Sequence, residues 1–386
     1  MTPTPEQQEI QSLARDFAEG ELRPHSAGWD AAQALDEGVW GSLAELGFLG
    51  MLVPEEHGGL GFDPGTYLMV LEELAWGDAT VALGVAIHNG PVTRLLARHG
   101  SDQQKARWLP RLASGEILGA FALAEEGVGG DPAAVATRAE RDGDGWLLRG
   151  GKRWVTNGGR AGLVVVFART GDDGEMGAFL VEPSADGYAV EGAETTLGFR
   201  GSQTSRIALD GVRLGAEGLL GRADEGLGQA VEALDMARIG VAALSVGLAR
   251  SAMEHAVRYA TEREQFGRSI ARFGAIQAKL ADMHQKVAAA RALTWRAGEA
   301  VEAVAEGRLP RTGPDGLTAR AAAAKLAASE AATWVADEAV QIFGGYGYMR
   351  DYPVEKLLRD AKGTEIFEGT SEIMRHVIAR EVLRDA

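Results

Sequence analysis

The 386 residues include no cysteine. That single absence excludes disulfides, thiolate metal sites and cysteine nucleophiles. Basic residues are in deficit: 39 Lys and Arg stand against 55 Asp and Glu, a net charge of −16. Such a balance argues against broad nucleic-acid binding, so an anionic ligand needs local cations. No apolar run approaches the roughly 18 residues of a membrane span. The start, MTPTPEQQEIQSLARDF, is polar and acidic, unlike a secretion or transit signal. The chain is therefore expected to be cytoplasmic and soluble, with no membrane insertion and no nucleic-acid partner. HExxH, GxSxG and P-loop motifs are missing, and the 7 histidines lack metal-ligand spacing. No metal is expected.

What is present divides into three runs. Residues 1–117 read as helices: Thr4 caps, Pro5 opens, and Ile10, Leu13 and Phe17 follow at helical spacing. Trp40, Leu43 and Leu46 mark a second helix, and Tyr67–Trp76, Val81–His99 and Asp102–Leu112 continue. Residues 118–222 read as strands. Phe121–Ala124 is short, and Ala133–Arg141 and Trp146–Trp154 flank the hairpin signal Asp142-Gly-Asp-Gly. Leu163–Ala168 and Ala178–Glu182 follow, then a predicted hairpin around Asp210-Gly211. Residues 223–386 return to long helices, over Leu227–Arg263, Ile270–Gly307 and Leu317–Phe343. Long helices with short turns imply an up-and-down bundle. The class is α+β and multidomain.

Several residues invite chemistry, each with a plain structural alternative. Gly127, Gly129 and Gly130 follow a strand and can form an anion-binding nest or a simple turn. Trp154 and Thr156 lie two apart at a strand end, so they share a face. They can cover and hydrogen-bond a flat ligand, or fill core and end a strand. Arg263 and Arg268 sit between the two longest helices, where they can hold phosphate or satisfy helix carbonyls. Asp235 and Arg238, three apart, read as a surface ion pair. His88 and Asn89 precede a proline, and His88 reads as a packed residue or a pocket wall. Glu368 stands before Gly369-Thr370-Ser371, a predicted helix N-cap, where an acid complements the helix dipole.

Seven runs in order carry a resemblance across nearly the whole chain: ALAEEGVGGD, KRWVTNGG, LGFRGSQTSRIALDGVRL, LDMARIGVAALSVG, REQFGRSIARFGAIQAKLADM, QIFGGYGYMRDYPVEKLLRDAK and FEGTSEI. The chain resembles the acyl-CoA dehydrogenase family. The resemblance implies an N-terminal helical domain, a middle β-barrel-like domain and a C-terminal four-helix bundle. It implies an FAD enzyme that α,β-dehydrogenates acyl-CoA thioesters and passes electrons to electron-transfer flavoprotein. Glu368 matches the general base, and Gly369 the residue beside the thioester carbonyl. Phe121, Leu123, Ala124, Gly129, Gly130, Trp154, Val155 and Thr156 match flavin contacts, with Gly130 also on the substrate side. Arg263, Phe266, Gln341, Ile342, Gly344 and Gly345 match contacts to FAD of a neighbouring subunit, which implies a homo-oligomer, dimer or tetramer. Thr370, Ser371 and Glu372 match further FAD contacts. Asp235, Met236 and Arg238 match the CoA-binding helix.

Some branches of the family place the base on that helix, immediately before the arginine. Here that position is Ala237, which cannot serve. The flavin loop departs from the usual TEPGAGSD, with Ala124, Glu126 and Gly130 in place of Thr, Pro and Ser, and Gly274 stands where a Gln often meets FAD. Two rival readings remain. One is an acyl-carrier-protein-linked dehydrogenase or a flavin oxidase or monooxygenase. The other is a non-catalytic FAD-binding or helical scaffold. Glu368 favours dehydrogenation over hydroxylating chemistry, and Glu368 together with Trp154 and Thr156 argues against the scaffold; the choice between CoA and acyl-carrier protein stays open.

Overall fold

The computed structural model describes residues 3–171 and 174–384. Helices come first: α1 (Pro5–Phe17), α2 (Ser26–Ala32), α3 (Gly38–Glu45), α4 (Pro64–Gly77), α5 (Ala79–Ile87), α6 (Leu95–His99) and α7 (Asp102–Ala113). Thr4 caps α1 as expected: its hydroxyl accepts from Gln7 N, while the Gln7 side chain accepts from Thr4 N. A π-turn over His88–Arg94 joins α5 to α6. Pro91 lies inside it and supplies no N–H, which fits the break in α-helical bonding.

Strands follow: β1 (Leu118–Ala122), β2 (Arg138–Asp142), β3 (Gly145–Val155), β4 (Ala161–Arg169), β5 (Met176–Val181), β6 (Tyr188–Ala193), β7 (Ser205–Leu214) and β8 (Leu219–Leu220). They form one sheet in the order β6-β7-β3-β2-β4-β5-β8, with β1 parallel on β4. The β2–β3 hairpin turns at Asp142–Gly145 as the sequence signals. The predicted hairpin at Asp210-Gly211 is absent. β7 runs straight through, and Gly211, at φ +73°, is the extra residue of a bulge opposite Leu148 and Arg149. β6, mostly exposed, has no apolar alternation strong enough to be read in advance.

The long helices are α8 (Gly226–Glu262), α9 (Gly274–Ala305) and α10 (Leu317–Phe343), followed by α11 (Val354–Thr364) and α12 (Ser371–Val382). Between α8 and α9 a two-residue ribbon pairs β9 (Glu264–Gln265) with β10 (Arg268–Ser269). The α8 helix is the axis of the molecule, packing on α4, α5, α9, α10 and α11. Buried Glu72 and Glu73 on α4 pair with Arg250 of α8, and Glu72 also with Arg291 of α9. These ion pairs fix the N-terminal helices to the bundle, because a buried charge left alone costs about 3–5 kcal/mol. Among the described residues, no helix is long and apolar enough to cross a membrane. No His, Cys, Asp and Glu cluster there is able to hold a metal.

Candidate active site

A cavity of about 530 Å³ opens where the sheet meets the bundle. Its walls are the end of β1 and the following loop, the end of β3, the loop Thr196–Thr204, one face of α8, and the chain from the end of α11 into α12. Of the predicted residues it gathers Phe121, Leu123, Ala124, Gly129, Gly130, Trp154, Thr156, Arg238, Glu368, Gly369 and Thr370.

The turn carrying Glu368 is built by its own sequence. After α11, Phe367 N donates to Gly363 O at 3.1 Å, and Ser371 N reaches back to Glu365 O at 3.0 Å. Thr370 caps α12 by accepting from Ile373 N at 3.3 Å, as expected. Glu368 at φ +55° and Gly369 at φ +98° reverse the chain between the helices. The φ of Gly369 is one that side chains rarely adopt, so glycine suits it; a Cβ there would also meet Met374 Cε at 2.6 Å and require that flexible side chain to move. Two cations hold this turn. Arg238 Nε donates to Glu368 O at 3.4 Å, and Lys325 Nζ donates to Gly369 O at 2.5 Å. The carboxyl accepts no hydrogen bond among the described residues and lies on the cavity wall. Burial pushes its pKa up, and Arg238 and Lys325 pull it partly back.

Asp235 and Arg238 are not a surface pair. Asp235 is fully buried and Arg238 is 6% exposed. Asp235 accepts from Arg311 Nη1 and Thr318 Oγ1, both at 3.0 Å, and meets Arg238 at 3.6 Å. Asp235 and Met236 therefore face the packed interior rather than the cavity, and α8 presents Leu234 and Arg238 there instead. The alanine-rich pattern of α8 leaves its buried face unmarked in the sequence.

The loop after β1 is clamped. Glu125 accepts from Ala136 N, Thr137 N, Thr137 Oγ1 and Lys152 Nζ at 2.7–3.0 Å, and Lys152 also donates to Leu123 O. Glu126 turns outward to Arg153 at 2.8 Å, so its charge does not enter the cavity. Where Cβ atoms would stand on Gly127 and Gly129 there is nothing within 4 Å. Trp154, at φ +57°, sits at an irregularity where β3 slips against β7. Strict alternation is broken there, yet Trp154 and Thr156 both line the cavity while Val155 is buried in the sheet core. His88 is fully buried, its ring bridging Leu49 O at 2.9 Å and Gly119 N at 3.0 Å. It is a packed residue, and Asn89 beside it ties to Phe48 O and Val85 O.

A second hollow of about 490 Å³ holds Arg263, Ile342, Gly344 and Gly345 with Tyr259, Gln265 and Tyr346. Its lining shares no residue with the first cavity. Phe266 stands at the tip of the β9–β10 ribbon, 93% exposed, and Gln341 is exposed on α10. Ser371 is buried with an unpartnered hydroxyl, and Glu372 is exposed in the first turn of α12. Sequence reasoning missed Lys325, Arg153, Arg359, Lys362 and the wall Thr196–Phe199. Lys325 breaks an alanine run, which reads as a solvated position; nothing in the pattern marks it as buried.

Models of the acyl-CoA dehydrogenase N-terminal, middle and C-terminal domains match residues 4–116, 120–212 and 224–383. The short-chain specific acyl-CoA dehydrogenase of Rattus norvegicus mitochondria is 40% identical over 98% of this chain and 90% of its own length. The solved butyryl-CoA dehydrogenase of Megasphaera elsdenii is 37% identical, with TM-score 0.93 over 98% of both chains. A chain solved in work on the electron transferring flavoprotein of Acidaminococcus fermentans is 38% identical, with TM-score 0.95 over 100% of both.

Proposed function

This chain belongs to the acyl-CoA dehydrogenase family, and from that premise we propose that it oxidises a short-chain acyl-CoA to the trans-2-enoyl-CoA, with Glu368 as base. It is an oxidoreductase whose cofactor is FAD. The first cavity fits such a group: glycines leave backbone N–H groups approachable, and Trp154 is 48% exposed toward the opening. Phe121, Leu123, Ala124, Gly129, Gly130, Trp154 and Thr156 are proposed to hold the flavin. When bound, FAD supplies the hydride acceptor.

The chain's own residues do the rest. An α-proton of a thioester is too weakly acidic for an ordinary carboxylate in water. Raising the carboxyl's proton affinity by burial brings base and acid closer. Gly369, next in sequence to Glu368 and on the same cavity wall, is proposed to donate its N–H to the thioester oxygen and stabilise enolate-like charge, an effect worth about 3 kcal/mol. Apolar Leu83, Leu234 and Phe367 exclude water around the acyl chain. The observation that carries the proposal is a carboxyl of raised proton affinity, without a hydrogen bond among the described residues, in the same cavity as Trp154 and Thr156.

Arg263, Ile342, Gly344 and Gly345 are proposed to receive the FAD of a second subunit. Their hollow opens apart from the first cavity, which supports a site completed between chains. Electron-transfer flavoprotein is the proposed acceptor. The names of the rat and Megasphaera relatives support a short acyl chain. Anaerobic mixing of the FAD-loaded protein with butyryl-, octanoyl- and palmitoyl-CoA tests the substrate. Butyryl-CoA should bleach the flavin fastest; fastest bleaching by palmitoyl-CoA would overturn the short-chain reading.

A further inference from the structure

We infer that Lys325 is a positioning residue for the reaction: with Arg238 it forms a two-cation clamp that aims the Glu368 carboxyl and keeps it able to ionise. The inference rests on Glu368 being the base.

Geometry comes first. Glu368 and Gly369 are consecutive residues at positive φ, and each offers its carbonyl to a cation on a neighbouring helix. Arg238 on α8 takes the first carbonyl and Lys325 on α10 the second. The reversed turn is thus pinned from two helices at the two carbonyls that follow the Glu368 Cα, which fixes the direction in which its side chain leaves the backbone. Without the pins, a turn in this backbone region relaxes, and the carboxyl loses its aim.

Charge comes second. The Lys325 side chain is 0% exposed, and its ammonium makes no ion pair among the described residues. A carbonyl alone does not repay burial of an ammonium. If only packing were needed, methionine would serve better among these alanines. The anions facing it are Glu368 and Glu365 from the turn after α11, and Glu330 on its own helix. Glu330 is engaged by Arg375 of α12. From α8 comes the like charge of Arg238. Glu368 is the strongest of these attractions, and burial brings Lys325 down to about 8. Two buried cations thus offset the desolvation of one half-buried carboxyl. The base keeps a raised proton affinity without being locked in its acid form.

The test uses FAD-loaded protein and two substitutions that separate pin from charge. Lys325→Gln keeps a donor for Gly369 O and removes the charge; Lys325→Met removes both. The acid limb of the pH profile for anaerobic bleaching by butyryl-CoA should move up by about one pH unit in both. Lys325→Met should also lose at least about tenfold in rate at its optimum, through lost aim. An infrared titration of the carboxyl band, assigned by its loss in Glu368→Gln, should show the same upward movement without turnover. An acid limb and carboxyl titration unmoved in both variants would overturn the clamp. Should neither variant fold, the unsubstituted protein decides. A Glu368 carboxyl still protonated at about pH 8–9, where isolated buried glutamates titrate, would contradict it. Failure of the underlying reading looks different: Glu368→Gln itself would bleach at the unsubstituted rate.

Discussion

Gly369 is the residue on which the placement of the base most visibly depends. Gly369→Ala adds a methyl against Met374 at φ +98°. The strain should lower stability by about 1–3 kcal/mol and displace Glu368. Chemical denaturation checks the first effect, and bleaching rate the second. His88 sets a different expectation. Burial lowers its pKa to about 4, from the ordinary value of about 6.5, and the Leu49 carbonyl offsets this only in part. The folded state excludes the proton that the unfolded chain accepts. Stability is therefore full above about pH 6.5 and falls as pH drops toward 4, by about 3 kcal/mol in total. His88→Gln can keep both backbone partners, so its denaturation midpoint should vary less between pH 6.5 and 4.5. An unchanged slope would mean that another group carries the acid sensitivity. At this scale Glu368 was legible in the sequence only through the motifs around it. Lys325 was not legible, because a lysine among alanines looks the same buried or solvated.

Among the elements, the loop after β1 is the one whose rigidity bears most on the cofactor. Lys152→Met leaves Glu125 buried among backbone donors with its cation gone. Loss of one partner from a buried pair costs about 3–5 kcal/mol. Denaturation should show that loss, and gel filtration should show poorer FAD retention as the loop loosens. A variant as stable and as yellow as the parent would mean that the loop needs no clamp. α10 was readable because glycine bounds it and its alanine-rich run contains no glycine or proline: it spans Leu317–Phe343 as expected, between Gly316 and Gly344. The strands were readable where apolar runs or Asp-Gly turns mark them, as in β4 and the β2–β3 hairpin. Asp210-Gly211 misled because the same dipeptide serves a turn or a bulge, and only the register of β3 distinguishes them. Likewise the periodicity of α8 marks a helix but not that Asp235 and Arg238 lie inside the molecule.

For the whole molecule, the helical, β, helical order followed from composition shifts alone, and seven ordered motifs pointed to the family. What lay beyond the sequence is how α8 joins the two ends of the chain, bringing Arg238 to a turn 130 residues later. The second hollow bears on assembly. Arg263→Ala should reduce FAD retention in a protein that sediments as a dimer or tetramer, and full occupancy after gel filtration would refute a shared site. The central claim is that Glu368 removes the α-proton. Its most direct test is anaerobic stopped-flow bleaching of Glu368→Gln by butyryl-CoA, with FAD content measured on the same sample. The account predicts full FAD content and a bleaching rate at least about 10²-fold below the unsubstituted protein. Full FAD content with an unchanged bleaching rate would contradict it.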